Sequence, residues 1–214
     1  NEILKLKKYA DKKKIIFFFT AGDFKSLNLA KKFKMPAVKI SSGLMTNTPL
    51  VTEASKIGVP IIISTGMCFK KEINKTYKIA KKFNKSGVAL LKCTSLYPAS
   101  DNTINLLAIK NFISTFKVPI GYSDHTKGNL ASLLAVSLGA TIIEKHFTLN
   151  KKQKGADHKF SLEPKELKML VRDIRRVEAL MGNSKIKPHI KEITQRKKNF
   201  RSILAKKILK KMTS

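Results

Sequence analysis

Short apolar segments rich in β-branched residues and phenylalanine recur along the chain and are separated by longer segments of mixed polarity. They occupy residues 15–19, 37–40, 60–63, 88–91, 118–121 and 140–143. A continuously apolar run of this length is typical of a strand that is buried on both faces of a sheet. The pattern therefore predicts six buried strands.

Helical spacing marks the segments between these runs. Leu50, Ala54 and Ile57 repeat at positions i, i+4 and i+7, with Pro49 suited to a first turn and Gly58 to a helix end. Similar spacing predicts further helices at Ile73, Tyr77 and Ala80; at Ile104, Leu107 and Ala108; at Leu130, Leu133 and Leu134; and at Leu167, Leu170, Val171 and Ile174. Regular alternation of strand and helix favours a parallel sheet.

A polar cluster follows each predicted strand. These clusters lie at residues 20–23, 41–43, 64–66, 93–95, 123–126 and 144–148. Polar groups at the carboxyl end of every strand are typical of the mouth of a (β/α)8 barrel, whereas a doubly wound open sheet places function at one or two switch points. We therefore predict an α/β fold of the TIM-barrel type, with six of its eight strand–helix units visible.

Length and composition indicate one domain with a sizeable core, since the chain has 214 residues and 43% hydrophobic content. No apolar stretch approaches the ~20 residues of a membrane span, and the first residues lack a signal-peptide pattern. Cys68 and Cys93 show neither disulfide-framework nor zinc-ribbon spacing. These features predict a soluble cytoplasmic protein with no membrane partner.

The formal net charge of +30 would by itself indicate a polyanion partner such as nucleic acid. Only five of the 44 basic residues are arginines, although nucleic-acid surfaces favour arginine for bidentate contacts. The lysines also fall between the apolar positions of predicted helices, as on solvated faces. We therefore expect no specific nucleic-acid partner and keep a nucleic-acid-binding protein as the less favoured alternative.

Two histidines, His125 and His146, follow neighbouring predicted strands. A single histidine in such a place is more often a hydrogen-bonded loop residue. Two imidazoles that face one barrel mouth can instead hold a divalent metal and leave positions open for water and a substrate oxygen. The pair therefore predicts a metal site.

Lys39 interrupts the apolar run 37–40, where a buried ammonium is costly unless it meets an anion or lines a polar mouth. Ser42 and Ser64 lie beside or near glycines, and Ser95 follows a third strand. Hydroxyls next to glycine allow close approach of phosphate oxygens. Each serine alone is weak evidence for a binding site. Together with Lys39, the serines predict a phosphate or carboxylate site.

Several ordered motifs resemble those of the N-acylneuraminate (sialic acid) synthase family, which includes the legionaminic and pseudaminic acid synthases. The resemblance extends from about residue 15 to about residue 205. The motifs are Lys-Ile-Ser-Ser-Gly at 39–43, Asn47, Pro-Ile-Ile-Ile-Ser-Thr-Gly-Met at 60–67, Leu-Leu-Lys-Cys-Thr-Ser-Leu-Tyr-Pro at 90–98, Gly-Tyr-Ser-Asp-His-Thr at 121–126, Glu-Lys-His-Phe-Thr at 144–148 and Gly-Ala-Asp-His-Lys-Phe-Ser at 155–161.

The resemblance implies an enzyme that condenses phosphoenolpyruvate with N-acetylmannosamine or a related N-acylhexosamine and releases phosphate. It implies that His125 and His146 bind manganese, with magnesium as an alternative, and that the metal polarises the sugar aldehyde. The residues implied to bind phosphoenolpyruvate are Thr20, Lys39, Ser42, Ser64, Ser95 and Ser123.

The resemblance also implies that Tyr97 and Asp157 face the sugar, although Asp157 alone is equally consistent with ordinary loop chemistry. The catalytic residues would be Lys39, His125 and Asp124. In this arrangement Asp124 orients the imidazole of His125.

The chain also departs from the family pattern. Leu44 stands where the family usually carries an acidic residue near the sugar, and the first two strand–helix units have no counterpart before residue 15. We assign residues 1–186 to a partial barrel and 187–214 to a basic linker with the start of a C-terminal domain, whose first strand would lie near 201–204. Unpaired sheet edges favour association, so a homodimer or a complementing chain is expected. A non-catalytic remnant, or one half of a split synthase, is the alternative function.

Overall fold

The computed structural model describes residues 2–201 and 206–207. The chain divides into two compact units, Asn1–Met181 and Gly182–Ser214. The first unit contains a parallel sheet with helices between its strands. The strand expected near residues 201–204 falls on positions 202–204, which lie outside the described residues.

The sheet has five strands, all parallel, and each pairs with the next strand along the chain. They are β1 (Val38–Ile40), β2 (Ile61–Ser64), β3 (Val88–Cys93), β4 (Ile120–Asp124) and β5 (Ile142–Lys145). Parallel pairing in chain order, with a helix between each pair of strands, gives an α/β half-barrel. The carboxyl ends of all five strands therefore lie at one edge of the sheet.

Among the described residues of the first unit, seven segments are α-helices: α1 (Glu2–Lys12), α2 (Phe24–Lys32), α3 (Thr48–Lys56), α4 (Lys70–Phe83), α5 (Ala108–Thr115), α6 (Leu130–Ser137) and α7 (Pro164–Met181). The predicted ends of α3 are confirmed, with Pro49 in the first turn and Gly58 at a φ of 91° just beyond it. Helix α5 begins later than Ile104 because Asn105 has a φ of 44°. A left-handed residue cannot continue a right-handed helix.

The first predicted strand, residues 15–19, is not a strand. Only Thr20 makes an isolated parallel bridge, to Lys39, and the Ala21 N–H donates to the Lys39 carbonyl at 2.9 Å. Ile15 and Ile16 are 64% and 76% exposed. A strand needs a neighbour along its length, and the short β1 supplies one only at its middle residue. The sheet thus has five strands instead of six.

Burial along the strands follows their place in the sheet. Strands β1, β3 and β4 are buried throughout, as their apolar sequences predict. Strand β5 is only half-buried, and it lies at the end of the strand order, paired with β4 among the strands that the structure describes. The prediction of burial on both faces is therefore wrong for β5, which is an edge strand.

The second unit, Gly182–Ser214, contains helix α8 (Glu192–Asn199). None of the residues of α8 is buried. The predicted domain boundary between residues 186 and 187 stays a prediction beside the observed division after Met181. Across residues 2–201 and 206–207, no helix combines the length and the apolar character that a membrane crossing needs.

Candidate active site

A cavity of about 330 Å³ lies at the carboxyl ends of the strands. Parallel strands bring their carboxyl ends to one edge, so side chains that are far apart in sequence meet there. The cavity includes most of the predicted site residues: Thr20, Lys39, Ser42, Ser64, Tyr97, Ser123, His125 and His146. Its other lining residues are Ser41, Cys93, Glu144 and Lys145. The structure therefore places the predicted lysine and both predicted histidines in a single cavity.

Lys39 is the buried cation of this cavity, with a side chain that is 8% exposed. Its Nζ donates to the Ser64 Oγ at 2.8 Å and lies 3.1 Å from the Glu144 Oε2. The Ser123 Oγ donates to the other carboxylate oxygen of Glu144 at 2.7 Å. An ammonium inside an apolar strand is thus stabilised by one hydroxyl and one carboxylate, as its burial requires. Sequence reasoning gave Glu144 no role, although it begins the Glu-Lys-His motif.

The imidazoles of His125 and His146 have ring centres 5.3 Å apart. The His125 Nδ1 lies 2.7 Å from the Thr94 carbonyl oxygen and donates to it, which leaves Nε2 with its lone pair. The ring of Tyr97 lies 4.2 Å from His125 and 5.9 Å from His146. The two histidines and the tyrosine therefore form one wall of the cavity.

The two imidazoles differ in basicity. Burial lowers the pKa of His125, but hydrogen bonds to Cys93 and to the Thr94 carbonyl outweigh burial and leave the pKa raised. Burial and the neighbouring His125 lower the pKa of His146. A lowered pKa favours the neutral imidazole, the form that can bind a metal.

A family model described as the NeuB family matches residues 1–186. The chain belongs to the NeuB family. It is 42% identical over 207 residues to the N,N'-diacetyllegionaminic acid synthase of Campylobacter jejuni, covering 95% of this chain and 61% of that protein. It is 37% identical over 184 residues to the N-acetylneuraminate-9-phosphate synthase of Homo sapiens, covering 86% of this chain and 51% of that protein.

A solved structure of a sialic acid synthetase shares the fold of this NeuB-family chain. The N-acetylneuraminic acid synthetase of Leptospira borgpetersenii, crystallised with citrate, superposes with a TM-score of 0.86 at 40% identity. The match covers 94% of this chain and 71% of that one. The chain thus spans between about half and three fifths of the length of the two curated synthases described above.

The donor set at the histidine pair fits a two-histidine metal site in this NeuB-family chain. With metal–nitrogen bonds of about 2.1 Å, two imidazoles on one metal have ring centres about 5 Å apart, close to the observed separation. No group of three or more His, Cys, Asp and Glu side chains placed to hold a metal occurs in the described part of the chain. Any remaining metal ligands would therefore be water or substrate oxygens.

Asp124 does not have the predicted position against His125. Its carboxylate accepts hydrogen bonds from Thr126 at 2.8 Å and from the Ser132 Oγ at 2.6 Å, and it pairs with the Lys145 Nζ at 2.9 Å. Within the described residues, the Thr94 carbonyl holds the Nδ1 of His125 instead. Both carboxylate oxygens of Asp124 are engaged by Thr126, Ser132 and Lys145. The prediction that Asp124 orients His125 is therefore corrected.

Two other predicted residues lie at the border of the site. The Asp157 Oδ2 is 3.6 Å from the His146 Nδ1, and the aspartate side chain is 57% exposed. The Ser95 Oγ lies 3.8 Å from the Cys93 Sγ but is outside the set of cavity-lining residues. Asp157 thus lies beside His146 without a hydrogen bond to it, and its predicted sugar contact stays a prediction.

Cys93, at the end of β3, is a cavity residue to which sequence reasoning assigned no chemistry. Burial raises the pKa of its thiol, but hydrogen bonds with His125, Ser42 and Ser123 outweigh burial and lower the pKa to about 7. A thiol with this pKa is partly ionised near neutral pH. The sequence placed Cys93 correctly at a strand end. The groups that lower the pKa of its thiol come from the ends of other strands, which only the folded sheet brings together.

The close packing around Gly66 explains why a glycine follows Ser64 and Thr65 at the end of β2. Its N–H donates to the Ser42 Oγ at 2.9 Å. A Cβ at this position would lie 2.3 Å from the Ser95 Oγ and 3.0 Å from the Ser42 Oγ. The backbone therefore approaches two candidate phosphate-binding hydroxyls more closely than any side chain would allow.

We expect Gly66→Ala to weaken phosphoenolpyruvate binding about tenfold, because the new methyl group displaces the Ser42 and Ser95 hydroxyls. Isothermal titration calorimetry with phosphoenolpyruvate measures this loss. Gly22→Ala is the matched control, since a Cβ there meets nothing within 4 Å. Equal dissociation constants for the two variants would contradict the assignment of these hydroxyls.

Proposed function

We propose that this chain forms the phosphoenolpyruvate-binding part of a synthase that condenses phosphoenolpyruvate with an N-acylated hexosamine and releases phosphate. The observation that carries the proposal is the meeting of Lys39, His125 and His146 in one cavity with several serine and threonine hydroxyls. The names of the two curated synthases described above support the same reaction class.

The cavity offers a fixed cradle for a phosphate and a carboxylate. Lys39 supplies the charge, and the hydroxyls of Thr20, Ser42, Ser64 and Ser123 supply hydrogen bonds, with the Ser95 hydroxyl at the border of the cavity. Because Glu144 already binds both Lys39 and Ser123, it would position these groups before the substrate arrives. Donors that are held in place cost no reorganisation when charge develops in the reaction.

In the proposed reaction, C3 of phosphoenolpyruvate bonds to the aldehyde carbon of the open-chain sugar, and the aldehyde oxygen takes up a proton to become a hydroxyl. Water adds at C2 and gives up a proton. The bond between C2 and the phosphate oxygen then breaks, so that C2 becomes a ketone and phosphate leaves. Manganese, or magnesium, held by His125 and His146 would polarise the aldehyde oxygen. Tyr97, which packs against both imidazoles, is placed to orient the sugar beside them.

The sugar itself is the open part of the proposal. N-acetylmannosamine or a related N-acylhexosamine would contact Tyr97 and Asp157. Leu44, where an acidic sugar contact is expected, packs instead against the hydrophobic core. The proposal therefore assigns fewer residues to the sugar than to phosphoenolpyruvate.

A non-catalytic or half-site role is the second candidate, favoured by the open sheet. Strand β5 pairs only with β4, and the other edge of the described sheet has a single bridge, at Thr20. A closed barrel leaves no such edges, so a homodimer or a complementing chain would cover them. The cytoplasmic location expected from the sequence stays a prediction.

The decisive assay incubates the natural chain with phosphoenolpyruvate, manganese and N-acetylmannosamine and measures free phosphate. We expect release that requires all three components and that falls roughly a hundredfold or more in Lys39→Met, which removes the cation of the cradle. Manganese binding without phosphate release would support the non-catalytic role instead. Release that continues without the sugar would contradict the proposed condensation.

A further inference from the structure

A second cavity, of about 270 Å³, lies outside the candidate active site, beside β2 and β3. Its lining is mostly apolar and includes Met67, Phe69, Ile73 and Phe112. Lys92 is also part of the lining. This volume is at the lower end of ligand pockets, and an apolar lining with a single charged group is their usual composition.

Lys92 is buried, at 7% exposure, on the face of β3 opposite to that of its neighbour Cys93. Its Nζ donates to the Thr94 Oγ1 at 2.9 Å and to the Ile104 carbonyl, and it lies 5.8 Å from the centre of the Tyr122 ring. No carboxylate of the described residues lies within 4.0 Å of it, unlike the other two buried lysines, Lys39 and Lys145.

The ammonium of Lys92 lacks a carboxylate partner among the described residues. Burial lowers the pKa of its amine, which reflects the cost of keeping a charge there. An ammonium has three N–H donors, and two of them have partners among the described residues. One donor and an uncompensated positive charge are therefore available beside the cavity.

Two helix starts border the cavity, and groups of the chain already engage both, since the Ala108 N–H donates to the Asn105 carbonyl at 3.2 Å and Glu72 lies at the start of α4. Phe69, the N-cap residue of α4, and Ala108, the first residue of α5, both line the cavity. The N-terminus of a helix carries a partial positive charge that favours anions. Glu72 accepts a hydrogen bond from the Phe69 N–H at 2.7 Å, so this carboxylate is engaged with its own helix start.

We propose that this cavity binds a small organic carboxylate with an apolar body. The carboxylate pairs with Lys92, and the body contacts Ile73 and Phe112. The apolar lining favours such a molecule over a bare inorganic anion, because the lining offers few further hydrogen bonds. Cys93 lines both this cavity and the candidate active site, so the occupant lies against a wall of that site.

The test uses para-fluorobenzoate, titrated into the 214-residue chain and followed by fluorine NMR. We expect saturable binding that weakens about tenfold or more in Lys92→Met, since a charged hydrogen bond is lost. Lys78→Met, an exposed lysine of α4, and Lys39→Met, in the other cavity, leave the dissociation constant unchanged. The neutral para-fluorobenzamide is expected to bind at least about tenfold more weakly than para-fluorobenzoate.

A second measurement does not depend on the Lys92 variant being folded. Cys68 lines the same cavity and is partly exposed. Saturating para-fluorobenzoate is expected to slow its alkylation by iodoacetamide, measured at Cys68 by mass spectrometry. Unchanged alkylation at saturation, equal binding by Lys92→Met, or loss of binding in Lys39→Met would each overturn the proposal.

Discussion

Replacing His146 with alanine is expected to abolish manganese binding and to lower phosphate release roughly a thousandfold. The proposed metal has two protein ligands, and this change leaves only His125. The ring of His146 packs on Phe160 and Tyr97 at 5.0 and 5.9 Å, so the variant also enlarges the cavity slightly. Electron paramagnetic resonance of added manganese measures the binding, and a phosphate assay measures turnover.

The matched control for this variant is His189→Ala, because His189 is an exposed histidine of the second unit. It is expected to bind manganese and to release phosphate as the unchanged chain does. Manganese binding by His146→Ala that equals that of the unchanged chain would show that the histidine pair does not hold the metal. The binding measurement also remains informative if the chain has no turnover.

The second large effect concerns the buried pair of Asp124 and Lys145, whose side chains are 0% and 4% exposed. Asp124→Leu leaves the ammonium of Lys145 buried without its ion-pair partner, and the Thr126 carbonyl at 2.5 Å is the hydrogen-bond acceptor that remains among the described residues. We expect the free energy of unfolding to fall by about 3 to 5 kcal/mol. Urea unfolding followed by circular dichroism measures this change.

A double variant distinguishes the cost of leaving Lys145 without a partner from the cost of losing the Asp124 carboxylate. Asp124→Leu combined with Lys145→Met removes both charges, so it is expected to be more stable than Asp124→Leu alone. Asp11→Ala, which breaks an exposed pair with Lys7, is expected to change stability little. A fully stable Asp124→Leu variant would contradict a structural role for Asp124.

Much of the fold could be predicted because a buried parallel strand is apolar at every position. Strands β1 to β4 coincide with predicted runs to within three residues at each end. The helices between them followed from their apolar spacing. Residues 15–19 have the same apolar composition, yet they form no strand, because pairing depends on a neighbour that composition does not specify.

The candidate site shows the same division. Residues at strand ends could be assigned to the mouth from sequence, since parallel topology gathers all such ends at one edge. Their hydrogen-bond partners could not be assigned in the same way. Asp124 adjoins His125 in the chain but bonds Ser132 and Lys145, while Glu144 reaches Lys39 across the sheet.

The sequence by itself determined the order of strands and helices, the family, and the strand ends at which chemistry is expected. The tertiary structure alone decided which side chains meet: Glu144 with Lys39, the Thr94 carbonyl with His125, and Lys92 with a cavity that offers it no carboxylate. The reason is physical. Hydrophobic periodicity is a local property of the chain, whereas the satisfaction of a buried charge depends on distances between residues that only the folded sheet fixes.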